Sequence, residues 1–288
     1  MRIAELPWYD VPELVPATDA LWRGIARHLR ASGIDRVPDG LMREGSYLDH
    51  WRDPDLLLSQ ACGYDVLYDS APDLEPIATP CYFAEGCEGP RYRSIVVVRA
   101  DRPFRSLEAL RGGRLAINQA TSHSGTNALR PLLAPLARDG RFFAAVEETG
   151  SHTDSLAAVQ DGAADVAGID AVVLALLRRV RPAAVRGLRP IACTQPALAP
   201  PFVTSRRSSP GLRAALRRAL RAAFDDPELA PARGALLLGD VVFLPGACYD
   251  ELAAFEEPAL EAGYLELPAP ALSPLARGRA VPRRGTAC

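Results

Sequence analysis

Short apolar runs that give way to polar loops and then to helical stripes recur along this chain, and that alternation constrains its fold more than any other feature. The clearest instance lies at 115–138. Leu115-Ala116-Ile117 is a short apolar run, Asn118-Gln119-Ala120-Thr121-Ser122-His123-Ser124-Gly125-Thr126 is a hydroxyl-rich loop, and a helical pattern follows from Thr126 to about Arg138. The spacing predicts a strand, a loop and a helix start. The first turn of a helix leaves N–H groups without partners and carries partial positive charge. Ser122, Ser124 and Thr126 add hydroxyl donors, and Gly125 lets backbone approach a ligand closely. Such a loop can hold an oxyanion without a lysine. The same residues also suit an ordinary Ser/Thr helix cap.

The alternation extends in both directions. Strands are expected at 2–6, 65–67, 76–80, 93–99, 115–117, 144–148, 165–170, 189–193 and 202–205, with a short strand or loop at 36–38. Helices are expected at 19–31, from Asp53-Pro54 to Ala61, and at 106–111, 126–138, 153–160, 172–180, 210–224, 227–237 and 249–262. Tyr47 to Trp51 reads as an aromatic-rich turn, and 240–245 as an apolar, turn-bounded segment. Strands alternating with helices imply α/β layers with mostly parallel sheets. The Pro- and Arg-rich tail from Pro268 is expected to be extended or disordered.

At 288 residues the chain is long enough for two domains. All 33 basic residues are arginine, so a Walker-type phosphate loop and Schiff-base chemistry are both excluded. A net charge of −2 leaves no electrostatic footprint for nucleic acid, and no apolar run is long enough for membrane insertion. The first ten residues have no apolar h-region, so the chain as written carries no signal peptide and is expected in the cytoplasm. Free thiols are the default there; Cys81 and Cys87 flank a five-residue loop that a disulfide would close. The four histidines lack metal-site spacing, and neither a metal nor a cofactor is implied.

Three stretches, with the closing segment from Thr194 to Ser205, carry a family resemblance. Tyr92-Arg93-Ser94-Ile95-Val96-Val97-Val98-Arg99 with Arg105-Ser106-Leu107 and Leu110-Arg111-Gly112, Thr121-Ser122-His123-Ser124-Gly125, and Gly150-Ser151-His152 with Ala164-Asp165-Val166-Ala167 together resemble the phosphate/phosphonate-binding proteins of ABC importers. The resemblance is strongest over 90–205. It implies a two-lobed type II periplasmic-binding-protein fold, with crossovers near 94–99 and 201–205. Lobe one would be 1–92 plus 206–288, and lobe two 93–205. It also implies an ABC transporter permease as partner and a periplasmic location, the alternative to the cytoplasmic one.

On the resemblance, Ser122, His123, Ser124 and Gly125 form the loop that binds phosphoryl oxygens, and His152 reaches the same group. Tyr9, Tyr47 and Tyr92 supply phenol donors or ring walls from the opposite side, and Asp170 ends a strand at the cleft. Trp8 and Trp51 read as packing residues. Relatives that grip an amino group use a Glu and an Asp, whose positions here are Val172 and the apolar run 199–202. The leading reading is a solute-binding, non-enzymatic protein for a small anionic ligand: phosphate, a phosphonate or a phosphate ester. The alternatives are a cytoplasmic enzyme, with His152 as general acid/base and Asp170 as its orienting partner, and a ligand sensor.

Overall fold

The computed structural model describes residues 2–67, 73–264 and 267. In chain order the strands are β1 (Ile3–Ala4), β2 (Leu56–Gln60), β3 (Leu74–Tyr82), β4 (Arg91–Tyr92), β5 (Ser94–Arg99), β6 (Arg114–Ile117), β7 (Ala145–Glu148), β8 (Val166–Asp170), β9 (Leu188–Cys193), β10 (Ala197–Leu198), β11 (Phe202–Ser205) and β12 (Leu238–Val242). The α-helices are α1 (Val15–Ala31), α2 (Tyr47–Arg52), α3 (Gly63–Leu67), α4 (Arg130–Leu133), α5 (His152–Asp161), α6 (Ala171–Val180), α7 (Pro210–Asp225), α8 (Ala230–Ala235) and α9 (Glu257–Glu261). One sheet runs β1-β2-β11-β3-β12 and the other β7-β6-β8-β5-β9.

Both sheets are mixed, which corrects the expectation of mostly parallel ones. Among the described residues, only β1/β2, β6/β7 and β6/β8 pair in parallel. The strands β5 and β11 are antiparallel to both of their neighbours. Each of these two enters its sheet directly after the chain has come across from the other one, not by a strand–helix–strand crossover, so the parallel rule does not bind it. The passages themselves are β4 and β10, which pair antiparallel through Tyr92 with Ala197 and Arg91 with Leu198. They precede the strands at 94–99 and 202–205 in which the sequence placed the crossovers.

Several local expectations are corrected. Leu56–Gln60 is a strand, not a helix: all five residues are buried, with Leu57 and Leu58 in one core cluster and Leu56 against Trp51 and Val203 in another. A continuous apolar run covered on both faces carries no period to tell strand from helix. Asp65-Val66-Leu67 lies in α3 rather than in a strand, and Tyr47–Arg52 is helical. No strand forms at 36–38.

The helix expected over 126–138 is broken into a 3-10 turn at Asn127–Leu129, the four-residue α4 and a second 3-10 turn at Ala134–Leu136. Pro131 and Pro135 explain this, since neither can donate a backbone hydrogen bond. Cys81 and Cys87 are free thiols. The tail from Pro268 lies outside the described residues. Among those described, no helix is long and apolar enough to cross a membrane.

The predicted stripe of α1 is buried at Leu21, Trp22, Ile25, Ala26 and Leu29, and packs with Leu216, Leu220 and Phe224 of α7 in the first sheet's core. Two elements reach both cores. Val172 and Leu176 of α6 belong to the first core, whereas Leu174 and Leu177 lie with the second sheet. Likewise Cys248, Tyr249, Leu252 and Phe255 sit in the first core, whereas Ala259, Tyr264 and Leu267 join Val96, Leu115 and Leu133.

Arg130 is 1% exposed where these parts meet. It donates to Tyr64 Oη at 3.0 Å, Asn127 Oδ1 at 2.6 Å and the Leu267 carbonyl at 3.0 Å, with Glu256 at 3.9 Å. Removing one partner of a buried ionic network strands the others, at about 3–5 kcal/mol. Arg130→Ala is expected to lower stability by about 3 kcal/mol or more in urea denaturation. A loss below about 1 kcal/mol would show that the network is not a structural tie.

Candidate functional site

The loops after β1, β6 and β8 and the starts of α3 and α5 surround a cleft of about 290 Å³. One wall comes from the first sheet: Trp8, Asp10 and Val11 after β1, Tyr47 at the start of α2, and Cys62 and Asp65 at α3. The opposite wall comes from the second sheet: Asn118, Gln119, Ser122 and Ser124 after β6, Gly150 to Thr153 at the start of α5, and Asp170 with Val173 at α6. Ligands of open α/β sheets bind beyond the carboxyl ends of strands, and these loops are in that position.

Ser124 Oγ and His152 Nε2 share a hydrogen bond of 2.8 Å. Ser122 Oγ stands 3.5 Å from Ser124 Oγ and accepts the Gly125 N–H at 3.2 Å. Burial pushes the His152 imidazole down to about 4, so it is neutral at pH 7. Its Nδ1 is buried outside hydrogen-bond geometry to any described group, and the Gly168 backbone partly opposes the shift. The helix start that faces the cleft is that of α5, which has ten residues, and not the broken segment after the serine loop. Ser151 caps it by accepting the Asp154 N–H, while His152 and Thr153, whose N–H groups have no acceptor within the helix, border the cleft.

The other candidates divide. Tyr47 lines the cleft, and Gln119 Nε2 donates to its hydroxyl at 3.3 Å. Tyr9 and Tyr92 are buried behind the lining. Tyr9 donates to Asp170 Oδ2 at 2.9 Å, and burial with the Asp170 charge holds its pKa well above the ordinary value. Burial does the same to Tyr92, opposed by the nearby Ser124 hydroxyl.

Asp170 borders the cleft but turns its carboxylate to Tyr9 and to the Val172 and Val173 N–H groups at 2.7 and 3.2 Å. Its hydrogen bonds therefore do not go to His152, which corrects the orienting role that the enzyme reading gave it. Desolvation pushes its carboxyl up to about 6.

The His123 ring points away from the lining. It meets Phe255 edge-on at 4.8 Å and Asn127 Nδ2 at 3.0 Å, and burial beside Arg130 lowers it to about 3. Its backbone N–H donates to Cys62 Sγ at 3.4 Å, and burial pushes that thiol up to about 12. A side chain at Gly125 would strike Asn118 Oδ1, 1.8 Å from the Cβ position. Packing inside the loop therefore favours glycine at this position.

The sequence reading passed over Asn118, Gln119, Asp10 and Asp65 as site residues. The first two open the loop already singled out, and their place directly after β6 was the available signal. Asp65 was hidden by its assignment to a strand.

This is a two-lobed α/β binding fold of the type II periplasmic-binding-protein class, with its cleft between the lobes. Residues 53–237 match the family described as "ABC transporter, phosphonate, periplasmic substrate-binding protein", and the chain belongs to that family. Among solved structures, PhnD1 from Prochlorococcus marinus (MIT 9301) in complex with methylphosphonate is similar at TM-score 0.71 and 15% identity, over 89% of this chain and 97% of that one. A binding protein component of an ABC phosphonate transporter (PA3383) from Pseudomonas aeruginosa is similar at TM-score 0.70 and 14% identity, over 91% and 87%. XAC2383 from Xanthomonas citri bound to ATP is similar at TM-score 0.67 and 19% identity, over 90% and 97%. No curated protein matches the chain.

The shifted groups set the pH dependence. Asp170, raised to about 6, stabilises the fold fully below about pH 4 and loses that contribution as pH rises through about 6. His152 and His123, depressed to about 4 and about 3, act oppositely: their contribution is full above about pH 6.5 and lost as pH falls through those values. Two histidines against one carboxyl leave stability rising between about pH 4 and 6. Asp170→Asn removes the opposing group, so urea denaturation at pH 4.5 and 6 is expected to show a steeper rise than in the parent. An equal rise would overturn the Asp170 assignment.

Proposed function

We propose that this protein is the substrate-binding component of an ABC importer and captures a phosphonate or a related small oxyanion in the interlobe cleft. The observation that carries this reading is the hydrogen-bonded pair of Ser124 and His152, 2.8 Å apart in the cleft beside the start of α5. Ser122, Ser124 and His152 offer donors to phosphoryl oxygens, joined by N–H groups at the helix start. The first lobe comprises 1–92 with the returning chain from 206, and the second 93–205. Lobe closure brings the Tyr47 wall onto the ligand, and the closed form is the one a permease reads in the periplasm.

Each charge-assisted hydrogen bond contributes roughly 1.5–3 kcal/mol, and micromolar affinity requires about 8 kcal/mol. Four to six donors reach it after ordering costs. The binding reading is favoured over the enzymatic one because the Asp170 carboxylate is held by Tyr9 and α6 and gives His152 no relay.

Ser124→Ala and His152→Ala are each expected to weaken methylphosphonate binding at least tenfold in titration calorimetry, with circular dichroism unchanged. Unaltered affinity in both variants would remove this site.

A further inference from the structure

The oxyanion donors occupy one wall of the cleft, and the wall opposite has a different chemistry. We propose that the ligand is a zwitterion, a phosphonate or phosphate monoester whose second charge is a quaternary ammonium group seated in the corner between Trp8 and Tyr47. This rests on the oxyanion reading above and names the other half of its ligand.

The corner is built. The rings of Trp8 and Tyr47 meet edge to face at 80° with centroids 5.7 Å apart, and both residues line the cleft. Behind them Trp51, fully buried, stacks on Trp8 at 5.6 Å and meets Tyr47 at 4.9 Å. Gln119 from the other lobe donates to the Tyr47 hydroxyl and helps fix that ring. Tryptophan and tyrosine faces attract a cation through the ring quadrupole, and aromatic corners of this kind suit quaternary ammonium groups.

The charges of the cleft point the same way. Its lining includes three carboxylates, Asp10, Asp65 and Asp170, and no arginine. Arg43 pairs with Asp10, so Asp65 and Asp170 are the lining carboxylates a lone dianion would face; a ligand carrying its own positive charge offsets their field. The carboxylates are, however, already engaged, Asp10 and Asp170 as acceptors. Asp10 is held by Arg43 and Thr18, Asp170 by Tyr9 and two backbone N–H groups, and Asp65 also has a partner within the protein. A primary ammonium brings three N–H donors that need acceptors once water is excluded. A quaternary ammonium brings none and requires only ring faces and a negative field.

Size agrees. A cleft of about 290 Å³, at roughly 30 Å³ of liquid volume per water, accommodates about ten non-hydrogen atoms. That matches a tetrahedral head joined through two carbons to a trimethylated nitrogen.

The test is titration calorimetry of the full chain with matched pairs: phosphocholine against phosphoethanolamine, and the N-trimethylated against the unmethylated aminoethylphosphonate, with methylphosphonate and choline as single-ended controls. The quaternary member of at least one pair is expected to bind tenfold or more tightly than its primary partner; which pair does so separates a phosphonate from a phosphate ester. Trp8→Leu retains apolar bulk without a ring face, and is expected to bring that ratio to within about twofold of unity. Trp8→Phe is expected to keep most of it.

A merely structural role for Trp8 would weaken both members equally and leave the ratio unchanged, and that result overturns the proposal. Equal or tighter binding of the primary amines overturns it too, as does choline binding as tightly as the zwitterions. If methylphosphonate binds and no pair shows a preference, this inference fails and the oxyanion reading stands. If no phosphorus compound binds, the oxyanion reading fails and this one with it.

Discussion

The antiparallel pairing of Arg91–Tyr92 with Ala197–Leu198 is the contact on which the two-lobed arrangement depends. The second sheet is built from one stretch of chain and the first from two, and the polypeptide passes between the sheets at these paired segments. Directly afterwards it runs into β5 in one direction and β11 in the other, each inserted between two antiparallel neighbours. A strand paired on both sides is fixed in register, so the passages leave from rigid positions. The cleft walls therefore come from two sheets joined by these passages and tied by α6, the C-terminal segment and the Arg130 network. That geometry lets a ligand touch both walls at once.

Electrostatics makes the choice of donors intelligible. With no arginine in the lining, an oxyanion has to be held by neutral donors, and the cleft concentrates them in hydroxyls and at a helix start. A neutral His152 suits this role: burial keeps it uncharged at pH 7, so it can share a proton with Ser124 without adding a buried charge that would need its own partner. The buried cation that does stand behind the serine loop, Arg130, is spent on Tyr64, Asn127 and the Glu256 region. It orders the turn after the loop rather than meeting the cleft. Polar networks in low dielectric favour a single arrangement when every member is satisfied, and this one joins that turn to the C-terminal segment.

Much of this was legible in the sequence, and the failures have physical causes. The order of elements followed from alternation, and the serine loop with Gly150-Ser151-His152 stood out because hydroxyl and glycine clusters sit where strands end. Leu56–Gln60 was misread because a strand buried on both faces shows no period of two. The length of the helix after the loop was overestimated because its apolar positions kept a helical spacing although Pro131 and Pro135 interrupt its hydrogen bonds. Side-chain direction was the least legible property. His123 and Ser124 are neighbours in one motif, yet one ring enters an aromatic cluster while the next hydroxyl lines the cleft. Asp65 emerged only once α3 was seen as a helix.

That alternation of direction recurs at three points around the cleft. Trp8 lines the cleft, while Tyr9 beside it reaches across to Asp170 on the other lobe. Ser122 and Ser124 line it, while His123 between them packs on Phe255. Asp170 borders it and caps α6, whose Val172 and Leu176 lie in the first lobe's core. At each of these points a residue facing the cleft lies next to, or within one or two turns of, one that packs between the lobes. Backbone neighbours in close-packed surroundings cannot shift independently. On the proposed binding reading, contacts made by a ligand at the cleft would bear on the interlobe packing over one or a few residues, without a separate relay between binding and closure.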